Sequence, residues 1–482
     1  MSRTSGRPRL ATVTIPAPDL RPATFLRHAA GEPRGFWARG ERWVAHRGIL
    51  AELRCRGEAD GDRFEAIAAA ANDLSVEPLL PAGAARAPRV RFYGGFSFRE
   101  DHRATGVWSA FPESLFHVPL LELEGDGSGD AWLRTRTLAR AEEGDEVFVR
   151  LRHRAEALRA ELNALGDRSA RAGAGDPEAR AVPARRHGRC VATDRDDWEH
   201  AVRESLAAIR DGVVSKAVLA RTLDVELDQP VDAVAVVAHL WEINRGSHVF
   251  LFEPVPDCAL VGAAPETVAT LRDGVFHATA VAGSIRGGAT AREQAELAAR
   301  LLASDKDRAE QRIALDDMVA RLATVTHQIR TDPQPHVLTL AGIQHLETEI
   351  RASVPPGVGV LDLLRLLHPT AAVCGLPRDG ALAFLAEVEP FERGWYAGPV
   401  GWFDADGNGV FAPALRTGVA TGSGWRLFAG AGIVEGSVPA LEWEETSIKF
   451  GPVLEALRDS GADLPPVEHS GGRAAAFWRG SA

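Results

Sequence analysis

The order of strand-like and helix-like segments is the feature of this sequence that most constrains its fold. Short runs with strand character, such as RVRFYGGFSF and LFHVPLLELE, follow one another early in the chain, and a second group follows residue 210. Residues 292–329 have the length and pattern of helix. A doubly wound sheet would need strict alternation of strands and helices, whereas clustered strands favour an α+β fold with large, mostly antiparallel sheets.

A segment rich in Gly, Ala, Arg and Pro provides the best internal boundary. Residues 166–189 show no apolar period, which predicts a mobile loop or linker. We therefore expect an N-terminal α+β part at residues 1–165 and a second part at residues 190–462. Residues 463–482 are expected to form a C-terminal tail.

The charge of the chain argues against some classes of partner. The 482 residues carry a net charge of −11, whereas nucleic acid and anionic membranes are bound by a basic face. No stretch approaches the roughly 20 apolar residues of a membrane helix. The N-terminal residues show no apolar signal region, and the widely spaced cysteines follow neither a zinc nor a disulfide pattern. We expect a cytoplasmic protein with a small-molecule substrate and with no nucleic-acid or membrane partner.

Two pairs of acidic residues on predicted helices are the most informative chemical signal. Asp307 and Glu310 are three residues apart, as are Glu442 and Glu445, and Lys449 follows four residues after the last of them. This spacing puts each pair on one face of its helix. Two such faces across a cleft would give an oxygen-rich cage for a hard divalent cation such as magnesium. The alternative is that each pair lies on the solvated face of an amphipathic helix.

The second acidic pair has a context that indicates an anionic ligand. It follows RLFAGAGIVEGS, an apolar strand that ends in a glycine-rich turn and leads into a helix. Glycines let backbone N–H groups approach a ligand closely, and the start of a helix favours negative charge. A substrate that carries a carboxylate fits this arrangement.

One lysine and one glutamate are candidates for a base and an acid. Lys216 interrupts the apolar run VVSKAVLAR, and a lysine in a dry setting can become a usable base. Glu266 follows a strand in VGAAPETV, where burial would keep its carboxyl group protonated. Taken alone, Lys216 is better explained as an edge-strand lysine that blocks aggregation, and Glu266 as a solvated turn residue.

Many separate motifs, in one order, resemble those of the chorismate-utilising enzymes. They run from about Val213 to Lys449 and include these segments: SKAVLAR, GAAPE, AVAGSIRGG, LLASDKDRAEQ, IQHLETEI, LLHPTAAVCG, RGWYAGPVGW, ALRTGVA and RLFAGAGIVEGSVPALEWEET. Within this family the chain is most similar to the isochorismate synthases. The resemblance implies a single α+β fold, a two-sheet, mostly antiparallel β-sandwich flanked by helices. Residues 166–189 then become an insertion within that fold.

The resemblance also implies a reaction and the residues that carry it. The reaction is the magnesium-dependent conversion of chorismate to isochorismate, in which water attacks C2 and the C4 hydroxyl group leaves. Lys216 matches the base of the family, and Glu266 matches its acid. The magnesium ligands are matched by a group of four carboxylates: Glu310, Glu445, Glu442 and Asp307. Substrate binding is matched by a further group: Gly283, Ser284, His345, Ala372, Tyr396, Arg416, Gly430, Ala431, Gly432 and Lys449.

Two alternatives remain open at this point. A salicylate synthase would make isochorismate at the same site and then eliminate pyruvate. A catalytically inactive relative would bind chorismate without converting it. The amine-forming members of the family normally use a glutamine amidotransferase; the chain shows no such module, and we expect no such subunit. The resemblance implies a monomer whose product enters siderophore or menaquinone synthesis.

Overall fold

The helices account for much of the outer surface of the fold. The computed structural model describes residues 9–55, 61–74, 78–81, 89–174, 186–340 and 342–465. Five helices in these stretches begin after an Asp, Ser or Thr whose side chain accepts a hydrogen bond from the first turn. The helices are α1 (Pro22–Arg27), α2 (Arg63–Asp73), α3 (Glu146–Ala174), α4 (Arg195–Arg210), α5 (Ala233–Ile243), α6 (Ala291–Ala303), α7 (Asp305–Leu322), α8 (Val360–Leu367), α9 (Arg378–Val388) and α10 (Pro439–Asp459).

The strands form two large sheets that share two long strands. The first sheet has the order β8 (Arg186–Ala192), β9 (Lys216–Leu227), β21 (Gly424–Ile433), β20 (Thr417–Thr421), β11 (Cys258–Ala264), β10 (His248–Val255), β2 (Arg34–Arg39), β3 (Arg42–Arg54), β6 (Ser114–Gly125), β7 (Ala131–Ala139), β1 (Arg9–Pro16) and β4 (Pro78–Leu79). Two short strands extend its β8–β9 edge: β17 (Gly375–Leu376) and β22 (Ala462–Asp463).

The second sheet starts from the same two strands, β3 and β6. It continues through β5 (Arg91–Phe96), β18 (Pro399–Asp404), β19 (Gly409–Pro413), β12 (Ala269–Arg272), β13 (Val275–Arg286), β16 (Ile343–Ser353) and the edge strands β14 (His327–Thr331) and β15 (His336–Leu340). Among the described strands, only the pairs β1–β4 and β8–β22 are parallel. The expected α+β fold with mostly antiparallel sheets is therefore confirmed.

Strands from the two ends of the chain are interleaved in both sheets. Strand β2 pairs with β10 in the first sheet, and β5 pairs with β18 in the second. The residues before and after the expected boundary thus belong to one fold. One core lies between the sheets, where Phe252 of β10 stacks on Trp395 with ring centroids 5.6 Å apart. Two further cores lie under α1, α3, α5 and α10 on one side and under α2, α7 and α8 on the other.

The expected linker differs from the structure over part of its length. Helix α3 continues to Ala174, so residues 166–174 are helical, and strand β8 begins at Arg186. Alanine and arginine are strong helix formers, which explains why the helix continues beyond the residues that show apolar periodicity. Residues 175–185 and most of the expected tail, 466–482, lie outside the described residues. In the part of the chain that is described, no helix has the length and apolarity needed to cross a bilayer.

Candidate active site

A cavity lies where β9 and β21 of the first sheet, β13 and β16 of the second sheet and helices α7 and α10 meet. Sixteen site residues are expected from the sequence, and most of them line this cavity. They are Glu266, Gly283, Ser284, Glu310, His345, Ala372, Tyr396, Arg416, Gly430, Gly432, Glu445 and Lys449. Residues nearly 200 positions apart in the sequence are thereby brought to one place.

Lys216 is fully buried and adjoins the cavity through Glu310. Its Nζ lies 3.1 Å from Glu310 Oε1, and the contact does not have the geometry of a hydrogen bond. Gly432 makes this approach possible, because a Cβ atom there would lie 2.0 Å from Glu310 Oε1 and 3.0 Å from Lys216 Cε. A glycine at this point of β21 is therefore a requirement of the site.

Glu266 lies between β11 and β12 and is almost completely buried, with 1% of its surface exposed. Burial raises the pKa of its carboxyl group to about 8; the charge of Glu347 adds to this rise, and Lys216 opposes it. Among the described residues, its Oε1 has no hydrogen-bond partner. The group is therefore protonated at neutral pH and has an oxygen free for a ligand.

Helix α10 brings a carboxylate and an ammonium group to the cavity. Lys449 forms an ion pair with Glu445 and also donates a hydrogen bond to the Gly430 carbonyl oxygen at 2.9 Å. Burial raises the pKa of Glu445, but Lys449 outweighs that effect, so the pKa lies below its ordinary value. Glu445 therefore presents a charged carboxylate to the cavity.

A hydrogen-bonded series connects Arg416 with Glu445. Arg416 Nη2 donates to His345 Nε2 at 2.7 Å. Burial and the charge of Arg416 hold the pKa of His345 well below its ordinary value, so the ring is neutral. Its Nδ1–H is then the donor to Ser284 Oγ, at 3.0 Å, and the Ser284 hydroxyl group bonds to the Glu445 carboxylate. Each group in this series is thereby held in one orientation.

A bulge in β13 directs Ser284 into the cavity. The pairing register with β16 shifts between Ala282 and Ser284, and Gly283 adopts a positive φ of 73°. Glycine accepts this left-handed conformation without steric cost. Gly283 also packs closely on α7, since a Cβ atom there would lie 2.9 Å from Asp307 Cβ. The bulge thus aligns β13 with the start of the helix that carries Glu310.

The apolar side of the cavity is formed by an aromatic pair. The ring of Tyr396 stacks on that of Phe428 with centroids 5.0 Å apart, and burial raises the pKa of Tyr396 to about 12. A Cβ atom on Gly430 would lie 2.9 Å from the Tyr396 hydroxyl oxygen. Charged groups on one side and apolar surface on the other suit a small organic anion with a carbon ring.

The four expected metal ligands are not arranged as one cage. Glu310 and Glu445 line the cavity, whereas Glu442 and Asp307 do not. Glu442 instead accepts a hydrogen bond at 2.7 Å from Lys306. Within the described part of the chain, no group of three or more His, Cys, Asp or Glu side chains is placed to hold a metal ion.

The positions of two residues differ from what the sequence predicted. The side chain of Ala431 is buried in the apolar cluster that also contains Trp198 and Trp443, and it does not line the cavity, because neighbouring residues of β21 face opposite sides. Lys306 was missed: it lies in the run SDKDRAE, where a lysine between two aspartates resembles a solvated helix start. Its ammonium group nevertheless approaches the acidic cluster.

The chain is similar in sequence to known proteins over nearly its whole length. A family profile described as chorismate binding enzyme matches residues 1–458. Isochorismate synthase MenF of Bacillus subtilis is 32% identical over 365 residues, which are 76% of this chain and 74% of the relative. The salicylate biosynthesis isochorismate synthase of Pseudomonas aeruginosa is 33% identical over 444 residues, 90% of this chain and 87% of the relative.

Solved structures show the same architecture. The menaquinone-specific isochorismate synthase MenF from Escherichia coli is similar with a TM-score of 0.72 and 26% identity, covering 94% of this chain and 96% of that one. Anthranilate synthase component I from Streptococcus pneumoniae has a TM-score of 0.62 at 18% identity, covering 93% and 92%, a likeness of fold alone. Its sequence and its fold therefore show that this chain belongs to the family of chorismate binding enzymes.

Proposed function

We propose that the protein is an isochorismate synthase that converts chorismate to isochorismate. The observation that carries this proposal is the protonated Glu266 carboxyl group, which lines the same cavity as the cationic groups of Arg416 and Lys449. Both relatives described above are named as isochorismate synthases. The Pseudomonas aeruginosa relative is named for salicylate biosynthesis, and the Escherichia coli structure is named as menaquinone-specific. We propose quinone or siderophore synthesis as the destination of the product here.

The acid–base roles follow from protonation and position. Chorismate must lose its C4 hydroxyl group as water adds at C2, so one group has to deliver a proton and another has to remove one. Glu266 is the donor, because its raised pKa keeps the proton available at neutral pH. Lys216, in its neutral amine form, is the base that takes a proton from water, and its buried Nζ stands beside Glu310 at the edge of the cavity.

Charge complementarity explains how the substrate is held. Chorismate carries two carboxylates, and the cavity contains two cationic side chains, those of Arg416 and Lys449. Arg416 can bind a carboxylate through two parallel N–H groups, and its hydrogen bond to His345 fixes the orientation of the guanidinium group. The stacked rings of Tyr396 and Phe428 cover the apolar part of the substrate.

Magnesium is the metal we propose for this site. Glu310 and Glu445 would hold it, because magnesium usually takes one or two carboxylates together with waters and substrate oxygens. Both carboxylates line the cavity, and they are hard oxygen donors. When bound, the ion would neutralise a substrate carboxylate and polarise the ring. Asp307 and Glu442 each lie three residues before one of these ligands and would act through water.

One assay tests the function. Purified protein is incubated with chorismate and magnesium, and isochorismate, salicylate and pyruvate are resolved by chromatography. We expect isochorismate without pyruvate. Salicylate with an equal amount of pyruvate would identify a salicylate synthase instead, and unchanged chorismate would identify an inactive relative. Lys216→Ala is expected to fold and to lose turnover; full activity in this variant would contradict its role as base.

A further inference from the structure

A second cavity of about 430 Å³ lies on the other side of the turn that follows α8. Its walls come from the start of α2, the loop after β5, the end of α8 and the start of α9. Four arginines line it: Arg63, Arg99, Arg365 and Arg378. None of these residues has a part in the proposed reaction.

Arg63 is a buried cation that forms no ion pair with a carboxylate among the described residues, although Glu113, Glu100 and Asp62 attract it at longer range. Only 6% of its surface is exposed, and its Nη1 donates to the Ser97 carbonyl, the Ser97 hydroxyl and the Arg99 carbonyl. Among the described residues, no hydrogen bond satisfies its Nε and Nη2, and no carboxylate forms an ion pair with it. These carboxylates compensate the buried charge only from a distance, and a buried charge without a contacting partner is costly. The two free N–H groups form the edge that binds an oxyanion bidentately.

Arg378 adds a second cation to the same cavity. Its Nη1 donates to the His368 carbonyl oxygen at 3.0 Å, and its only ion pair among the described residues is a 3.9 Å contact with Asp379. Arg378 is also the first residue of α9, an eleven-residue helix whose start has no side-chain cap. Unpaired N–H groups at a helix start favour an anion, so they reinforce the two guanidinium groups.

Four acidic residues also line this cavity: Asp62, Glu100, Asp101 and Asp379. Asp62 caps α2 by accepting hydrogen bonds from two of its backbone N–H groups. Asp101 is paired with Arg99, and the side chain of Asp379 is 98% exposed to solvent. Glu100 and Asp62 attract Arg63 but form no ion pair with it. Arg63 and Arg378 are therefore cations that no carboxylate of the described walls contacts within hydrogen-bond distance.

We propose that this second cavity binds a small oxyanion, a carboxylate or a phosphate, between Arg63 and Arg378. The site is separate from the catalytic cavity: His368 and Pro369 line the second cavity, whereas Ala372 and Val373 line the catalytic one. A bound anion would thus contact the beginning of a turn whose end forms part of the catalytic wall. The proposal does not depend on the identity of the reaction.

Titration calorimetry with inorganic phosphate and with benzoate tests the site and distinguishes the two anion classes. We expect one of these probes to bind at one site per chain. Arg378→Met should weaken binding about tenfold or more, as expected for the loss of charge-assisted hydrogen bonds. Arg63→Lys keeps the positive charge but removes the pair of parallel N–H groups, so it should weaken binding as well. Thermal unfolding of each variant verifies that it is folded.

Two further variants serve as controls. Arg292→Met removes an exposed arginine that pairs with Glu296 on α6, and it should leave binding unchanged. Arg416→Met alters the catalytic cavity and should also leave this binding intact. The proposal is overturned if neither probe binds the wild-type protein, if Arg378→Met binds as tightly as wild type, or if binding is lost in Arg416→Met.

Discussion

Arg416 donates a hydrogen bond from Nη2 to His345 Nε2 at 2.7 Å, and this contact fixes the tautomer of the histidine. Because a guanidinium group can only donate, Nε2 must accept and Nδ1 must carry the proton. The pKa of His345 lies well below its ordinary value as a result of burial and of nearby Arg416 and Lys449. We therefore expect nitrogen NMR to show a neutral ring protonated at Nδ1 from pH 6 to 8. A titration of this ring near pH 6.5 would contradict the assignment.

Glu266 should set the alkaline limit of activity. Since burial raises its pKa to about 8, we expect kcat/KM to fall as the pH rises through about 8. Glu266→Gln should lower kcat by about 10²–10⁴, the usual contribution of a general acid. Steady-state kinetics across pH 6–10 provide the measurement. An unchanged alkaline limb in a partly active Glu266→Gln variant would assign that limb to another group.

The same residue should affect stability with a definite sign. Its pKa in the folded protein, about 8, lies above the ordinary value of 4.5, so the folded state binds the proton more tightly. The stability gained from protonation is complete below pH 4.5 and is lost as the pH rises through about 8. We expect denaturant unfolding to show a shallower loss of stability across this interval in Glu266→Gln than in wild type. Equal slopes would argue against the raised pKa.

Gly432→Ala should damage the site while leaving the fold in place. The added methyl group would lie 2.0 Å from Glu310 Oε1, so the carboxylate would have to move away from Lys216. Overpacking of this kind typically costs about 1–3 kcal/mol, and we expect isochorismate formation to fall steeply. Gly246→Ala is the matched control, because a Cβ atom there meets nothing within 4 Å. Similar activity in the two variants would show that Glu310 can shift without consequence.

Lys306→Met should make the protein more dependent on added magnesium. The Lys306 ammonium group bonds to Glu442, which is 1% exposed and whose pKa is raised to about 7 by burial and by Glu445. Without it, a buried carboxylate loses its partner, which costs about 1–3 kcal/mol. Differential scanning calorimetry should show a lower Tm without magnesium and a larger rise on its addition than in wild type. Lys306→Arg keeps the charge and should resemble wild type.

The sequence predicted the elements of the site better than their contacts. The i, i+3 spacing correctly placed Glu310 on α7 and Glu445 on α10, because helical periodicity is a local property. Pairing of Glu442 with Lys306 could not be predicted, since it joins residues on two helices that are 136 positions apart in the chain. Ala431 shows the same limit. A glycine-rich strand has too little alternation of polar and apolar side chains to indicate which of its faces lines the cavity.

The fold class could be predicted because strand clustering and turn signals are also local properties of the sequence. It could not be predicted that β3 and β6 belong to both sheets. Strand β3 pairs with β6 along almost its whole length, with a register shift between Ile49 and Ala51, and the first residues of β3 also pair with β2. Such an arrangement depends on which strands meet in three dimensions. No periodicity in the sequence encodes it.

The shared strands also determine what a minimal catalytic fragment would need. Among the described strands after residue 186, those of the first sheet and those of the second have no hydrogen-bonded pair in common; only β2, β3, β6 and β5 connect them. Lys216 begins β9 in one group, and Glu310 lies on the helix that packs on β13 in the other. Truncation to the catalytic half would therefore remove every strand-to-strand link between the two groups and leave α10, which packs on both β21 and β13, to hold them together. Strands without a catalytic side chain thus help to align the catalytic residues.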